Sequence, residues 1–300
     1  MHSEDRTPIV IAKGRDRSRA AGTDRDVVML VAFEGWNDAG EAASSAVNDL
    51  VELWSAEQIA EISPDDYYDY QFTRPTVTRT PAGGNALQWP GTRIYRAAVP
   101  GHELDVVFVV GVEPSFRWQQ FVDEILSHAK DAGAVLLVGA LIADVPHTRP
   151  IPVSMSTEDS ELREALDLDR NSYEGPTGVL GVLGHLALAA GLPTVSLWAA
   201  IPGYVAQAPS PKAQLALTGR IEEVLGVSIP QGTLTDDAKA WERGVNELAD
   251  DDEDISRYVR QLEEVQDTAE LPEASGDAIA KEFERYLRRK NPPDGHKGPR

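Results

Sequence analysis

Six polar side chains stand where an α/β protein does chemistry: Glu34, Asp38, Glu113, His147, Arg149 and Thr177. Carboxylates, an imidazole and a guanidinium converging on one edge could perform acid–base work on a polar substrate. Glu113-Pro114-Ser115 and Asp144-Val145-Pro146-His147-Thr148-Arg149-Pro150 each follow an apolar run directly. Both segments are therefore expected at the sheet edge that carries Glu34. The competing reading is structural: Asp38 caps a helix, Glu34 satisfies buried amides, and the His147 segment ties loops together. Thr177 and Gly178 lie in the glycine-rich stretch YEGPTGVLG, residues 173–181. Close backbone packing is one reading of that stretch, and a ligand at the backbone amides is the other. It does not match a dinucleotide fingerprint.

Other chemistries are poorly served. The turn after residue 33 crowds Glu34, Asp38 and Glu41, which repel an anion, and it lacks the lysine and glycines of a phosphate loop. The chain has no cysteine, which removes disulfides, thiolate ligands and cysteine nucleophiles together. No metal-ligand spacing appears among His2, His102, His128, His147, His185 and His296. The acidic run Asp250-Asp251-Asp252-Glu253-Asp254 fails as a calcium loop, because Ile255 stands where the turn glycine is needed and Gln261 where the bidentate acid is needed. It reads instead as a solvated linker or a helix start. There is no G-x-S-x-G elbow, and no cofactor is implied.

The elements that must position these residues alternate. Residues 27–32 form a short continuous apolar run, as a strand covered on both faces would be. Asp38 then sits at a helix N-cap with Glu41 three residues on, as in a capping box. Ala39, Ala42, Ala43, Ala46, Val47, Leu50 and Trp54 share one helical face. Residues 105–112, 134–141 and 194–201 repeat the apolar run. Helices are predicted from Ser115, from Pro176 to about residue 190, and from Ser210-Pro211 through Leu225. Such alternation predicts a mostly parallel sheet with helices on both faces. Two insertions decorate it. In residues 64–99, Tyr68, Tyr70 and Phe72 recur at period two, followed by Thr76-Val77-Thr78 and Arg93-Ile94-Tyr95, and predict antiparallel edge strands or a small excursion from the sheet. Tyr67, Tyr68, Tyr70, Phe72 and Trp89 are the interface candidates, with coverage of the chain's own sheet edge as the equal alternative. Residues 235–287 carry three helical stripes: Trp241/Val245/Leu248, Ile255/Val259/Leu262 and Ile279/Phe283/Tyr286/Leu287.

The expected organisation is a flexible arm at 1–25, an α/β core at 26–232, an acidic helical region at 233–288 and a disordered tail at 289–300. A formal net charge of −21 argues against nucleic acid and against anionic membrane, and is compatible with a basic protein partner. Residues 179–201 contain no Asp, Glu, Lys or Arg, yet Gly191-Leu192-Pro193 breaks them into a core helix and a strand. With no apolar signal core at the N-terminus, the cytoplasm is the expected location.

Six ordered motifs carry a resemblance: AFEGWNDAGEAAS at 32–44, DYYDYQFTRP at 66–75, GVEPSFRWQQF at 111–121, ADVPHTRP at 143–150, YEGPTGVLG at 173–181 and SLWAAIPGYVAQAPSPKA at 196–213. Together they resemble the proteasome assembly chaperone family of the second-chaperone type, and most closely its longer actinobacterial members. The resemblance implies a three-layer α/β/α sandwich with a mostly parallel central sheet, like phosphorylases and peptidyl hydrolases. It implies self-association with a trimer favoured, and partners among proteasome subunits or assembly factors. It implies a non-catalytic scaffold or chaperone. The alternative is a small-ligand-binding or hydrolase/phosphorylase-like enzyme using the strand-end edge. Gly203 stands where many relatives carry a histidine after the proline, which weakens a catalytic case for that turn.

Overall fold

The computed structural model describes residues 8–270 except 82, 169–172 and 208, with side chains described as far as residue 268. The third predicted stripe of the tail and the predicted disordered tail lie outside the described residues. In chain order the elements are α1 (Ile9–Ala20), β1 (Asp26–Glu34), α2 (Ala42–Leu53), β2 (Glu57–Ile62), β3 (Thr76–Arg79), β4 (Asn85–Gln88), β5 (Thr92–Ala98) and β6 (Leu104–Val112). Then follow α3 (Trp118–His128), β7 (Ala134–Ala143), β8 (Val153–Ser156), α4 (Ser160–Ala165), α5 (Val179–Ala189), β9 (Thr194–Pro202), α6 (Pro211–Leu225), α7 (Leu234–Asp250) and α8 (Glu253–Glu270).

Seven strands form one sheet in the order β2-β5-β6-β1-β7-β9-β8. The four apolar runs are its parallel centre, β6, β1, β7 and β9, with Val28 opposite Val106 and Ala134. The flanking pairs β2/β5, β5/β6 and β8/β9 are antiparallel. Side chains alternate along β1. Val28, Leu30 and Ala32 enter the core layer that also holds residues of α1, α2 and α6, while Met29, Val31 and Phe33 enter the layer holding residues of α3 and α5. This double burial is why the central strands read as unbroken apolar runs. The result is a three-layer α/β/α arrangement, extended by α7 against α6 and α8 against α7. No described helix is long and apolar enough to cross a membrane.

Three expectations need correction. Residues 9–20 of the expected flexible arm form α1, which buries Val10, Ile11, Gly14 and Ser18. A Cβ on Gly14 would lie 2.4 Å from the Gly133 carbonyl carbon, so the helix meets the chain through bare backbone. Arg15 adds a forked ion pair to Asp26, with Nε 3.0 Å from Oδ1 and Nη2 2.7 Å from Oδ2. Half of the buried face is Gly14 and Ser18, small residues that hydropathy does not register. Second, Tyr68, Tyr70 and Phe72 do not form a strand. They lie in turns after a short 3₁₀ segment, Pro64–Asp66, and the excursion makes a separate two-stranded hairpin, β3–β4. Third, α5 begins at Val179 and α3 at Trp118, each about one turn later than Pro176 and Ser115 predict.

Candidate functional site

The carboxyl end of β1 is built to turn sharply. Gly35 holds φ +112°, a region closed to most side chains, and Trp36 beyond it is 76% exposed. Asp38 is buried, but it does not form the predicted capping box. Gly40 and Glu41 adopt the left-handed conformation, and the helix starts at Ala42. Asp38 reaches across this kink: its Oδ1 accepts from the amides of Ala43 (2.8 Å) and Ser44 (3.1 Å), and its Oδ2 accepts from the Ser44 hydroxyl. It therefore does cap the helix, by an unusual route. Burial pushes its carboxyl up, Glu41 adds to this, and the three hydrogen bonds from Ser44 and Ala43 oppose it. Glu34 is also held up, first by desolvation of its carboxyl, then by the charges of Asp38 and Glu41, with Arg93 opposing.

Glu113 performs the corresponding task one strand away. Its amide donates to the Glu34 carbonyl at 3.0 Å, which continues the β1/β6 ladder. Its Oε1 accepts from Asn37 Nδ2 (3.1 Å) and from the Val179 amide at the start of α5 (2.8 Å). Gly178 is packed against this pair: a Cβ there would sit 2.4 Å from Asn37 Nδ2 and 2.8 Å from Glu113 Oε1. Close packing is thus the role of the glycine-rich stretch at this point. Thr177 beside it is exposed.

His147 and Arg149 are drawn elsewhere. His147 is buried and sits among Tyr204, Asn246 and Lys212. The Tyr204 hydroxyl accepts the His147 amide at 2.8 Å and, 2.8 Å from Nδ1, is left to donate to it. The ring proton then belongs on Nε2, which donates to Asn246 Oδ1 at 3.0 Å. Burial lowers the imidazole pKa from 6.5. The Asn246 bond opposes this, Lys212 adds to the lowering, and Glu242 and Glu263 oppose it. Lys212 Nζ donates to the His147 carbonyl and pairs with Glu242 of α7. Thr148 bonds Glu263, and Arg149 pairs with Glu263 and forks onto Asp267, Nε–Oδ1 and Nη2–Oδ2 both 2.8 Å. Tyr258 of α8 closes the set by donating to Asp144 at 2.8 Å.

The six predicted residues therefore form two groups. Asp38 and Glu113 serve the strand-end turns, with the exposed Glu34 and Thr177 nearby, while His147 and Arg149 fasten α7 and α8. The hydrogen bonds and ion pairs described above each stay within one group. No group of three or more His, Asp or Glu fit to hold a metal ion occurs among the described residues. A groove of about 1030 Å³ between α2, α6 and α7 is lined by none of the six.

The aromatic candidates divide as well. Tyr67 and Tyr68 are buried in their own chain, which corrects their assignment as interface residues and matches the alternative that they cover the chain's own sheet. Tyr67 donates to Glu124 at 2.6 Å and meets Phe121 edge-on at 5.1 Å. Tyr68 donates to the Val112 carbonyl at 2.7 Å, and burial pushes its phenol up to about 12. Tyr70 bonds Asp65 and packs on Trp89 at 4.9 Å. Phe72 is 85% exposed and Trp89 45%. Sequence reasoning passed over Asn37, Tyr204, Lys212 and Asn246. The first three lie inside the quoted motifs, but Asn246 carried no local signal.

A three-layer α/β/α sandwich thus carries strand-end carboxylates turned onto backbone amides and a helical extension clasped by the β7–β8 loop. A profile described as the PAC2 family matches residues 32–249, and the chain belongs to that family. A PAC2 family protein from Streptomyces avermitilis is 48% identical over 78% of this chain and 100% of its own, with a TM-score of 0.73. A proteasome-assembly chaperone homologue from Mycobacterium tuberculosis is 44% identical over 78% of this chain and 99% of its own, TM-score 0.70. An archaeal proteasome activator from Pyrococcus furiosus shares the fold at 17% identity, over 75% of this chain and 95% of its own, TM-score 0.59. No curated protein matches the chain.

Proposed function

We propose that this chain is a non-catalytic, self-associating scaffold that assists proteasome assembly in the cytoplasm, with three copies as the favoured unit. The observation that carries the reading is the use of the strand-end carboxylates. Asp38 uses both carboxylate oxygens on the start of α2, and Glu113 Oε1 holds the first amide of α5 and the Asn37 side-chain amide, which supports a structural use of both. Membership of the PAC2 family and likeness to a proteasome-assembly chaperone homologue supply the partner class. The enzyme alternative needs His147 and Arg149 at the same edge, and they are engaged with α7 and α8 instead.

The test is purification of the tagged chain from its own cells after crosslinking, with mass spectrometry of what travels with it. Proteasome subunits or assembly factors enriched over an unrelated tagged protein are expected. Their absence across crosslinkers of different reach overturns the proteasome part of the reading. A copurified metabolite seen by native mass spectrometry would instead favour the ligand-binding alternative.

A further inference from the structure

The β3–β4 hairpin has no visible reason to be stable alone. All eight of its strand residues are exposed, and isolated two-stranded hairpins are marginal in water. Register puts Val77 opposite Leu87, with Arg79 on the same face by alternation. Val77 is 66% exposed, Leu87 53%, and Phe72 just before the hairpin 85%. The charge of this region is also anomalous for a chain of net −21: residues 71–102 carry Arg74, Arg79, Arg93 and Arg96 and no Asp or Glu. Arg96 pairs with Asp105 and Asp131, and Arg93 faces Glu61. Arg74 and Arg79 meet no carboxylate among the described residues.

A complementary surface lies on the other side of the molecule. The groove between α2, α6 and α7 has apolar walls that include Leu53, Leu234 and Trp241. Its charged lining residues are Asp49, Glu52 and Asp237, with no Lys or Arg. None of the three meets a cation among the described residues. Burial and the neighbouring Glu52 push the Asp49 carboxyl up, while Gln214 opposes. Leu50 at the groove belongs to the core layer with α2 and α6, whereas Tyr67 and Tyr68 at the hairpin root belong to the layer with α3 and α5. The two surfaces thus flank opposite faces of the sheet.

We propose that the hairpin of one copy seats in the α2–α6–α7 groove of a second copy. Val77, Leu87 and Phe72 meet the apolar walls, and Arg74 and Arg79 meet Asp49, Glu52 and Asp237. The contact joins two different patches, so it is head-to-tail and closes into a ring or runs on as a filament according to its rotation. It rests on the self-associating scaffold reading and assigns that reading an interface.

The absence of cysteine makes the test clean. Two single-cysteine chains, Thr78→Cys on the hairpin and Asn48→Cys at the groove, are co-expressed with different tags and treated with a short bismaleimide. Crosslinked heterodimer is expected from the pair and none from either chain alone. The exposed double reversal R74E/R79E weakens association about tenfold or more at low salt, read by light scattering and sedimentation. Adding D49K/E52K to the same chain restores it. Crosslinks within the Thr78→Cys chain alone, or a mass unchanged by the reversals, overturn the proposal. An oligomer that lacks the hairpin–groove crosslink overturns this interface and leaves the scaffold reading standing. A wild-type chain that is monomeric at every concentration overturns both.

Discussion

The strand-end turns around Asp38 and Glu113 and the clasp around His147 and Arg149 use similar side chains for different ends. In the first, carboxylates accept from backbone amides within the core, and helix starts depend on them. In the second, side chains bond mostly to other side chains, and what depends on them is the position of α7 and α8. Backbone amides have one place to go, so their loss propagates through a whole element. Ion pairs near the surface exchange with water, so their loss is local. The same residue types therefore differ in consequence by what they hold, and a catalogue of polar residues cannot separate the two.

That contrast predicts its largest effect at Asp38. Asp38→Ala leaves two amides and the Ser44 hydroxyl without their acceptor in a buried turn, and about 3 kcal/mol of global stability is expected to be lost. Urea denaturation measures it, and a loss under ~0.5 kcal/mol would mean water replaces the carboxylate. Glu113→Ala comes next, at about 1–2 kcal/mol, because it frees one amide and one side-chain amide at a partly exposed position. Glu113→Gln keeps an acceptor and is expected to recover part of the loss. If Gln behaves like Ala, the charge and not the hydrogen bond is what α5 requires.

Much of the core was legible because its signal is local. The four apolar runs became the four parallel central strands, and Ser210-Pro211 opened α6 as a serine cap followed by proline should. The acidic run at 250–254 spans the end of α7, a two-residue link and the start of α8, with Asp252 accepting from the amides of Asp254 and Ile255. Helix α1 was not legible, because its buried face is Gly14 and Ser18 as much as Val10 and Ile11. Small residues buried by backbone contact leave no hydropathic trace. The tyrosines failed for the opposite reason: period two was present, but Tyr67 and Tyr68 answer to Phe121, Glu124 and Val112, which are distant in sequence. Convergence of the six polar residues could not be read at all. Strand order places loops at an edge, and only tertiary partners such as Asn246 and Asp267 decide which way a loop then leans.

At the clasp the expected effect is smaller and confined. Arg149→Ala removes the fork onto Asp267 and the bond to Glu263. Amide exchange in α8 is expected to speed up by roughly 3–10-fold, with β1, β6 and β7 unchanged. Equal acceleration in the central strands would erase the distinction between the two regions and make α8 part of the cooperative core.

The smallest effect is a pH dependence, and its sign follows from the buried ring. Burial lowers the folded pKa of His147 below 6.5, so between that lowered value and 6.5 the unfolded or opened chain binds more protons than the closed one. Stability from this group is therefore fully present above pH 6.5 and is lost as pH falls through the folded pKa. Protonation would also place a donor on Nδ1 against the Tyr204 hydroxyl, which must then accept from both the ring and the His147 amide. Hydrogen exchange of α7 and α8, corrected for intrinsic rates, is expected to accelerate on acidification while the central strands stay constant. His147→Gln is expected to flatten that profile. A clasp whose corrected exchange does not change below pH 6.5 would mean that Glu242 and Glu263, which favour the imidazolium, offset the desolvation of the ring.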